Sequence, residues 1–426
     1  MLQDTAVWGA PRRIGYLVLA VFLLFNTVSP LLSTIPVVGG YVMLGLVWVW
    51  GLILPWVGTA VLGLPGPIEF RFTGSGDTTW DWVQMFTVVV LSLGLGIAWA
   101  LLDHKRASYA AFNRWLMVLT RYTLASSMVG YGLAKVFKSQ FPFPGLAALT
   151  TTYGDSSPMG LAWRFMGYSE GYNYFTGGAE VLAGVLLLWR RTTTLGALTA
   201  IGVTANIVAL NFFYDIPVKL YSSTLLLMAL YLAACDGRRL VDLLVRNRAT
   251  GAREEAPYFT RKPARIGRVV VKSVFCGLLA LSAIGAWQMQ QEYGDSAPRP
   301  PLYGLYAVET FTKNGAEQPP LLTNAAQWRQ FFIDRHAAGA RRMDGARERL
   351  GYELDEAAKL LRFEHFKDEG EPVKFEMKYE ETADGLILRG PFNHEELVVV
   401  LKKLDHREML LVSRGFHWIN EDPFNR

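Results

Sequence analysis

A lysine, Lys135, stands near the end of an otherwise apolar stretch of membrane length, 114-RWLMVLTRYTLASSMVGYGLAKVF-137. Hydrocarbon tolerates a charge only where it faces protein or water, so an ionisable side chain at that depth marks a candidate site. A partly neutral lysine acts as a base and a charged one pairs with an anion, and burial shifts the balance between them. Arg114 and Arg121 lie on the same run, seven and then fourteen residues apart from one another and from Lys135, which keeps all three within one broad face of a helix. Glu180, Asn206, Asn211, Asp215 and Lys219 put further polar groups into or beside apolar runs. The expectation is a polar pocket inside a helix bundle.

The elements that must position these residues are apolar segments at about 14–34, 41–63, 83–102, 112–137, 174–189, 193–214, 217–235 and 268–288, each close to the roughly 20 residues that a bilayer requires. With 51% hydrophobic residues and 13 Trp the chain is richer in apolar groups than a soluble protein of its length. Its charge divides sharply. Residues 1–288 hold 23 Lys and Arg against 13 Asp and Glu, a net +10, whereas 289–426 hold 19 against 24, a net −5. The positive excess sits in short loops between spans, where it marks the cytoplasmic side and is no nucleic-acid signature. Arg12, Arg13, Lys105, Arg106, Arg190, Arg191 and the run from Arg238 to Arg268, Arg253 included, all fall inside if seven segments cross and 41–63 lies in the outer interface or re-enters. Its Trp48, Trp50 and Trp56 favour that depth. The alternative is eight spans, since the segment is also apolar enough to cross. Seven spans put the N-terminus in the cytoplasm and the C-terminal domain outside.

The fold class expected is therefore an all-α polytopic membrane helix bundle followed by a small antiparallel β domain. Its divisions are N-terminal spans and interfacial segment at 1–111, a four-helix membrane module at 112–236, a basic cytoplasmic linker at 237–267, a final span at 268–288 and an extracytoplasmic β-rich domain at 289–426. The basic N-terminus before the first apolar run reads as an uncleaved first span, because the run is long and lacks a small-x-small cleavage site. In the tail, 374-KFEMKYEE-381 alternates with period two, and 304–315, 359–366, 386–390, 396–405 and 408–419 read as further strands. Turns at Asn314-Gly315 and Asp384-Gly385 suggest an antiparallel meander, and closing it into a barrel removes its edges.

In the seven-span arrangement Lys135 lies near the outer end of its helix and Arg121 about 21 Å deeper. Glu180 begins the next, inward-running span at nearly the level of Lys135, and Asn211, Asp215 and Lys219 return to it in a later hairpin. The long outer connection 138–175 is rich in aromatics, Pro and Gly, and a loop of that length serves as a lid or carries function. Tyr153, Asp155, Ser156 and Arg164 are its inward-pointing candidates, with Tyr131 on the lysine helix itself. Each residue also has a plainer use: Lys135 snorkels to headgroups or pairs with Glu180 or Asp215, Arg121 pairs internally, and Asn206 and Asn211 bond between helices.

Of six histidines only His104 lies in the membrane part, which excludes a bundle haem with two histidine ligands and multi-histidine copper sites. His336, His365, His394, His406 and His417 lack ligand spacing, so no metal is expected. Cys235 and Cys276 are the only cysteines and form no CxxC pair. Any redox role must use a bound, diffusible cofactor, and a quinone is the expected one.

The segments 131-YGLAKVFKSQFPFPG-145, 177-GGAEVLAGVLLLWRRTTTLGAL-198 and 206-NIVALNFFYDIPVKL-220 resemble the bacterial DoxX family, a group of four-helix membrane modules that includes quinol-oxidase accessory subunits. The resemblance covers about residues 112–236. The same module is similar to the membrane part of vitamin K-dependent carboxylases, where a lysine after a Gly-x-x-Lys pattern deprotonates a reduced naphthoquinone. That resemblance implies such a role for Lys135. The opening Gly304-Leu-Tyr of the tail is similar to lipocalins, implying a carrier or cap for an apolar molecule, while Arg414, His417 and Trp418 are candidates for a docking surface.

Three functions are expected from these readings. The first is binding of an isoprenoid quinone or similar lipid, with Lys135 and Glu180 at the centre and Arg121, Tyr131, Tyr153, Asp155, Arg164, Asn206, Asn211, Asp215 and Lys219 around it. The second is a non-catalytic scaffold or assembly factor whose 289–426 domain recruits an extracytoplasmic protein partner. The third is transport of a small anion along Arg121 and Lys135.

Overall fold

A computed structural model describes residues 7–251, 257–365 and 372–425; Arg253 and Phe366 lie outside the described residues. The chain divides into two compact units, one of residues up to Phe141 with Ser157–Gln288, the other of Pro142–Ser156 with Met289 onward.

The first unit is helical. It contains α1 (Ala10–Ser33), α2 (Val38–Trp56, prolonged by a wider turn Val57–Val61), α3 (Thr79–Leu102) and α4 (Ala110–Val136). After α5 (Leu146–Leu149), a single turn in the other unit, come α6 (Pro158–Tyr168), α7 (Glu170–Leu187), α8 (Thr193–Phe213), α9 (Lys219–Ala234), α10 (Gly237–Leu244) and α11 (Lys262–Tyr293). Each apolar segment expected from hydropathy is a helix. Five stretches, Ala10–Ser33, Val38–Val61, Thr79–Leu102, Arg190–Phe213 and Lys262–Tyr293, are long and apolar enough to cross a membrane, or six if the bent pair α9 and α10 counts as one. This is a membrane protein. Helices α4 and α7, which carry Lys135 and Glu180, are not among the five, and their polar residues are largely turned into protein.

Small residues let α4 and α7 touch along their length. A β-carbon on Gly132 would fall 2.6 Å from the Gly177 carbonyl oxygen, and one on Gly184 would fall 2.9 Å from the Ala125 carbonyl oxygen. Without a hydrophobic drive between helices in lipid, such close backbone packing is the main cohesive term. Gly96 of α3 approaches Val18 of α1 in the same way.

Hydrogen bonds align several helix ends. The backbone N–H of Trp8 donates to the Ala107 carbonyl at 2.9 Å, and the Arg13 guanidinium donates to the His104 carbonyl, so α1 begins beside the α3–α4 loop. Asp77 accepts from the backbone N–H groups of Lys219 at 2.8 Å and Leu220 at 3.0 Å, capping the start of α9 from the chain just before α3. Thr78 and Asp81 then form a reciprocal capping box that starts α3. The far end of α2 packs there too, with Leu54, Val57 and Ile68 against Trp80 and Val83.

The second unit is a meander closed into a barrel. Its strands are β1 (Gly304–Lys313), β2 (Ala316–Glu317), β3 (Trp328–Ile333), β4 (Ala338–Arg342), β5 (Arg347–Asp355), β6 (Leu360–His365), β7 (Val373–Glu381), β8 (Gly385–Phe392) and β9 (Glu395–Leu404). All pairings are antiparallel, β2 is a short return from β1, and β1 bonds both β3 and β9, which closes eight strands. In β7, Phe375, Met377 and Tyr379 point inward and the intervening charged residues outward, as the alternation predicts. Asn314-Gly315 makes its turn with φ of 50° and 80°. Gly385 serves a different purpose from the expected turn: it begins β8, where a β-carbon would overlap the Leu401 carbonyl oxygen.

The expected strand at 408–419 is absent. Asp405 caps a short turn at His406–Glu408 and α12 (Leu410–Ser413) follows, because β9 is already paired on both sides and leaves no edge to extend. The barrel interior is filled by Trp328, Phe331, Phe363, Phe375, Phe392 and their neighbours, with rings as close as 4.8 Å. Eight strands give a bore just wide enough for side chains. A cavity of about 320 Å³ at the end marked by Asn393 has a polar lining that includes Gln327, Arg342 and Glu348.

Candidate functional site

Lys135 and Glu180 form an ion pair in the helical unit. The ammonium lies 2.8 Å from one carboxylate oxygen and donates to the other at 2.9 Å, and the two side chains are 8% and 1% exposed. Helix geometry explains how they meet. With residue 132 opposite 177 and 125 opposite 184, Glu180 lies opposite residue 129, so the Lys135 backbone is six residues further along α4, or about 9 Å. Side chains lean toward the N-terminus of their own helix, and in antiparallel helices the two lean toward one another. Both carboxylate oxygens are taken by one ammonium, in surroundings that water does not reach.

Aromatic rings and a hydroxyl pair surround the ions. The ammonium lies 5.7 Å from the Tyr131 ring and 5.9 Å from the Phe141 ring, within cation–π reach. Phe141 meets Trp163 of α6 edge-on at 5.0 Å. Tyr131 lies 6.1 Å from Tyr221 of α9, whose hydroxyl is 2.8 Å from that of Ser127. Asn173, on the same stripe of α7 as Gly177 and Glu180, donates to the Met166 and Ser169 carbonyls, while its buried Oδ1 receives no hydrogen bond. Ser127, Phe141, Trp163, Asn173 and Tyr221 escape sequence reasoning because their types are common in any apolar bundle.

The other expected residues are dispersed. Asp215 pairs with Lys219 at 2.9 Å in the α8–α9 turn, its side chain 84% exposed, and Lys219 also lies 3.8 Å from Asp77. Asn211 donates to Ser222 and to the Val218 carbonyl, closing that turn. Asn206 faces outward on α8. Arg164 on α6 has a buried Nη2 without an acceptor. Arg121 donates to Thr193 at the start of α8 and lies far along α4 from Lys135. Tyr153 and Asp155 belong to the barrel unit, where Asp155 lies 3.3 Å from Arg341.

The Pro142–Ser156 segment is tied into that unit at several points. Asp295 accepts from the Phe143 N–H at 2.7 Å, Asp334 accepts from the Leu146 N–H at 2.9 Å, and Arg341 donates to the Thr150 carbonyl. Leu146 is buried with Leu305 and Phe332. The long connection between α4 and α6 is thus partly a component of the barrel unit. No group of His, Cys, Asp and Glu among the described residues could hold a metal ion.

Over 123 residues the chain is 38% identical to the uncharacterized protein YwoB of Bacillus subtilis (strain 168), a match covering 29% of this chain and 78% of that protein. This chain belongs to the YwoB family. No family model matches it, and no solved structure does. The family includes a protein short enough to be mostly covered by less than a third of the present chain, so the rest of this chain is additional to what is shared.

Proposed function

We propose that this chain is a DoxX-like membrane protein that binds an isoprenoid quinone or a similar lipid at the Lys135–Glu180 pair and acts in membrane-associated redox processes. The carrying observation is the pair itself: an ammonium and a carboxylate, both removed from water, among Tyr131, Phe141 and Tyr221. A buried ion pair is weak evidence for stability, since apolar residues of similar volume do as well or better. Its retention calls for a use. The donor set fits a ligand offering both a hydrogen-bond acceptor and an acidic hydroxyl, as the ring of a quinone or quinol does. Lys135 donates to the acceptor oxygen, Glu180 takes the hydroxyl proton, and the aromatic residues exclude water. A bound quinone supplies the electron chemistry.

The membrane arrangement that goes with this reading is seven spans, a cytoplasmic N-terminus and an extracytoplasmic barrel. In its support, α1 starts beside the loop of Lys105 and Arg106, while the chain before α3 caps the start of α9. Both α1 and α3 then run between the same two levels, and α2, which starts at the end of α1 and finishes against Trp80, returns without crossing. Segments 142–156 and 289 onward enter one unit from the ends of α4 and α11, and an even number of crossings, by α7, α8, α9 and α11, separates them.

Mass spectrometry of lipids extracted with purified protein tests the proposal. A near-stoichiometric quinone or polyprenyl lipid is expected with the wild type and not with Lys135→Met or with Lys135→Met/Glu180→Leu. Absence of any enriched lipid from the wild type overturns it and favours a scaffold that recruits an extracytoplasmic protein. The side chains filling the barrel bore favour that second reading for the barrel itself, whose outer surface is what it has to offer.

A further inference from the structure

A second polar cluster lies well away from the Lys135–Glu180 pair, where α4, α8 and α11 meet. Arg121 is over nine-tenths buried, yet its guanidinium has only a 3.3 Å hydrogen bond to the Thr193 hydroxyl, and its buried Nε has no acceptor. The guanidinium also lies over the Tyr122 ring, 5.1 Å from its centre. Tyr122 in turn meets Phe275 of α11 edge-on at 5.0 Å. One turn earlier on α11, Lys272 reaches across to the Trp189 ring at 4.7 Å, directly before the α8 start that bonds Arg121.

Among the described residues, charges at this junction do not balance. Lys272 is faced by the cations Arg121 and Arg268 and, on its own helix, by the thiol of Cys276, with no carboxylate among the charges that act on it. Among the described residues no carboxylate comes within 4.0 Å of Arg121, Lys272 or Arg268. Asp236 accepts from the Thr194 hydroxyl, next to Thr193, and is engaged by Arg239 as well. The C-terminal end of α7 lies level with Arg121 in the register set by the glycine contacts, and a helix end supplies only about half of one negative charge. A desolvated guanidinium such as that of Arg121, without an acid beside it and with Lys272 close by, is costly unless an anion joins it. An Arg fork beside a Lys point charge and a hydroxyl is the donor set that suits phosphate.

We propose that Arg121 and Lys272, with the Thr193 hydroxyl, form a binding site for a phosphate group. Helix α11 has no fully buried residue and meets the bundle here through Phe275 and Lys272, so the site has an edge open to lipid. An anionic phospholipid headgroup and a free phosphate share this chemistry. The site is independent of the quinone proposal, since none of its residues touches Lys135 or Glu180.

Titration of delipidated full-length protein with short-chain phosphatidylglycerol, inorganic phosphate and diacylglycerol, read by native mass spectrometry, tests the site. Phosphatidylglycerol adducts are expected in the wild type, weakened about fivefold by Lys272→Gln and again by Arg121→Gln, each cation near an anionic group being worth about one such factor. Lys272→Arg retains them, and diacylglycerol gives none. Competition by inorganic phosphate identifies a soluble anion as a ligand of the same site; no competition assigns it to the lipid headgroup. Equal adducts in wild type and Lys272→Gln overturn the proposal, as does failure of both phosphatidylglycerol and phosphate to bind the wild type. Because α11 buries no residue fully, Lys272→Gln leaves the bundle intact, which an unchanged melting temperature verifies.

Discussion

Gly132 and Gly177 bring the backbones of two helices into contact, each lying where a β-carbon would come 2.6 Å from the other's carbonyl oxygen. One turn from that contact, Lys135 reaches Glu180. The glycines set the separation that the ion pair needs.

Enlarging the contact should therefore damage the pair. Gly177→Leu is expected to cost about 1–3 kcal/mol or more through overpacking, because the obstacle is backbone and cannot rotate away. Thermal melting in detergent measures this, and an unchanged midpoint would show that the helices are not held at that distance.

The ion pair should behave asymmetrically under substitution. Lys135→Met strands a buried carboxylate and Glu180→Gln a buried ammonium, each at about 3–5 kcal/mol, whereas Lys135→Met/Glu180→Leu should fall near the wild type or above it. A double-mutant cycle on detergent unfolding gives the coupling. Additive losses would mean that the two groups act separately.

In the barrel, the Trp328 indole N–H donates to buried Glu348 at 2.9 Å. Glu348→Gln keeps an acceptor there and should be mild, while Glu348→Leu leaves the N–H unsatisfied at about 1–3 kcal/mol. Near-ultraviolet circular dichroism of the full chain, followed through unfolding, distinguishes the two variants. Equal stability would deny the bond any weight.

Acid sensitivity can be assigned at the end of β9. Side-chain and backbone hydrogen bonds from Arg407 hold the Asp405 carboxyl down at about 2, and burial with the nearby Arg299 lowers His406 below its ordinary value. Both folded values lie under their unfolded ones, so each group's contribution is present above its unfolded value and is lost as pH falls through the folded one. The His406 contribution disappears first, below about 6.5, and that of Asp405 only below about 4. Arg407→Gln should move the Asp405 titration, followed by NMR, back toward the usual carboxylate range. A midpoint that stays low would assign the depression elsewhere.

Much of this was legible in the residues alone, for identifiable reasons. Lys135 and Glu180 stand out because charges are conspicuous in apolar runs, and helical rise puts them at one level. Asn206 stood out equally and faces away from the bundle, since α8 is apolar on every side and its hydropathy does not encode its rotation. Asp215 and Lys219 satisfy one another across a tight turn, a local pairing that an argument from depth overlooks. Strands β6 to β9 alternate openly, whereas β4 reads Ala-Gly-Ala-Arg-Arg and β5 buries Glu348, which hides the period. Lys272 carries no signal in the sequence that sets it apart from other basic residues near a span, because Trp189 and Arg121 come beside it only in the fold.

The division of the barrel unit between two distant stretches of chain bears on how the protein is made. Residues 142–156 leave the ribosome well before Asp295, Asp334 and Arg341, the groups that fasten them. Throughout synthesis of the later helices, the link between the lysine helix and the glutamate helix lacks these anchors, and it acquires them only when the last domain has been made and closed. A chain cut after α11 would keep every helix of the bundle and leave Leu146 without Leu305 and Phe332 to cover it, so a tail deletion disturbs the connection between α4 and α6 as well as removing a domain.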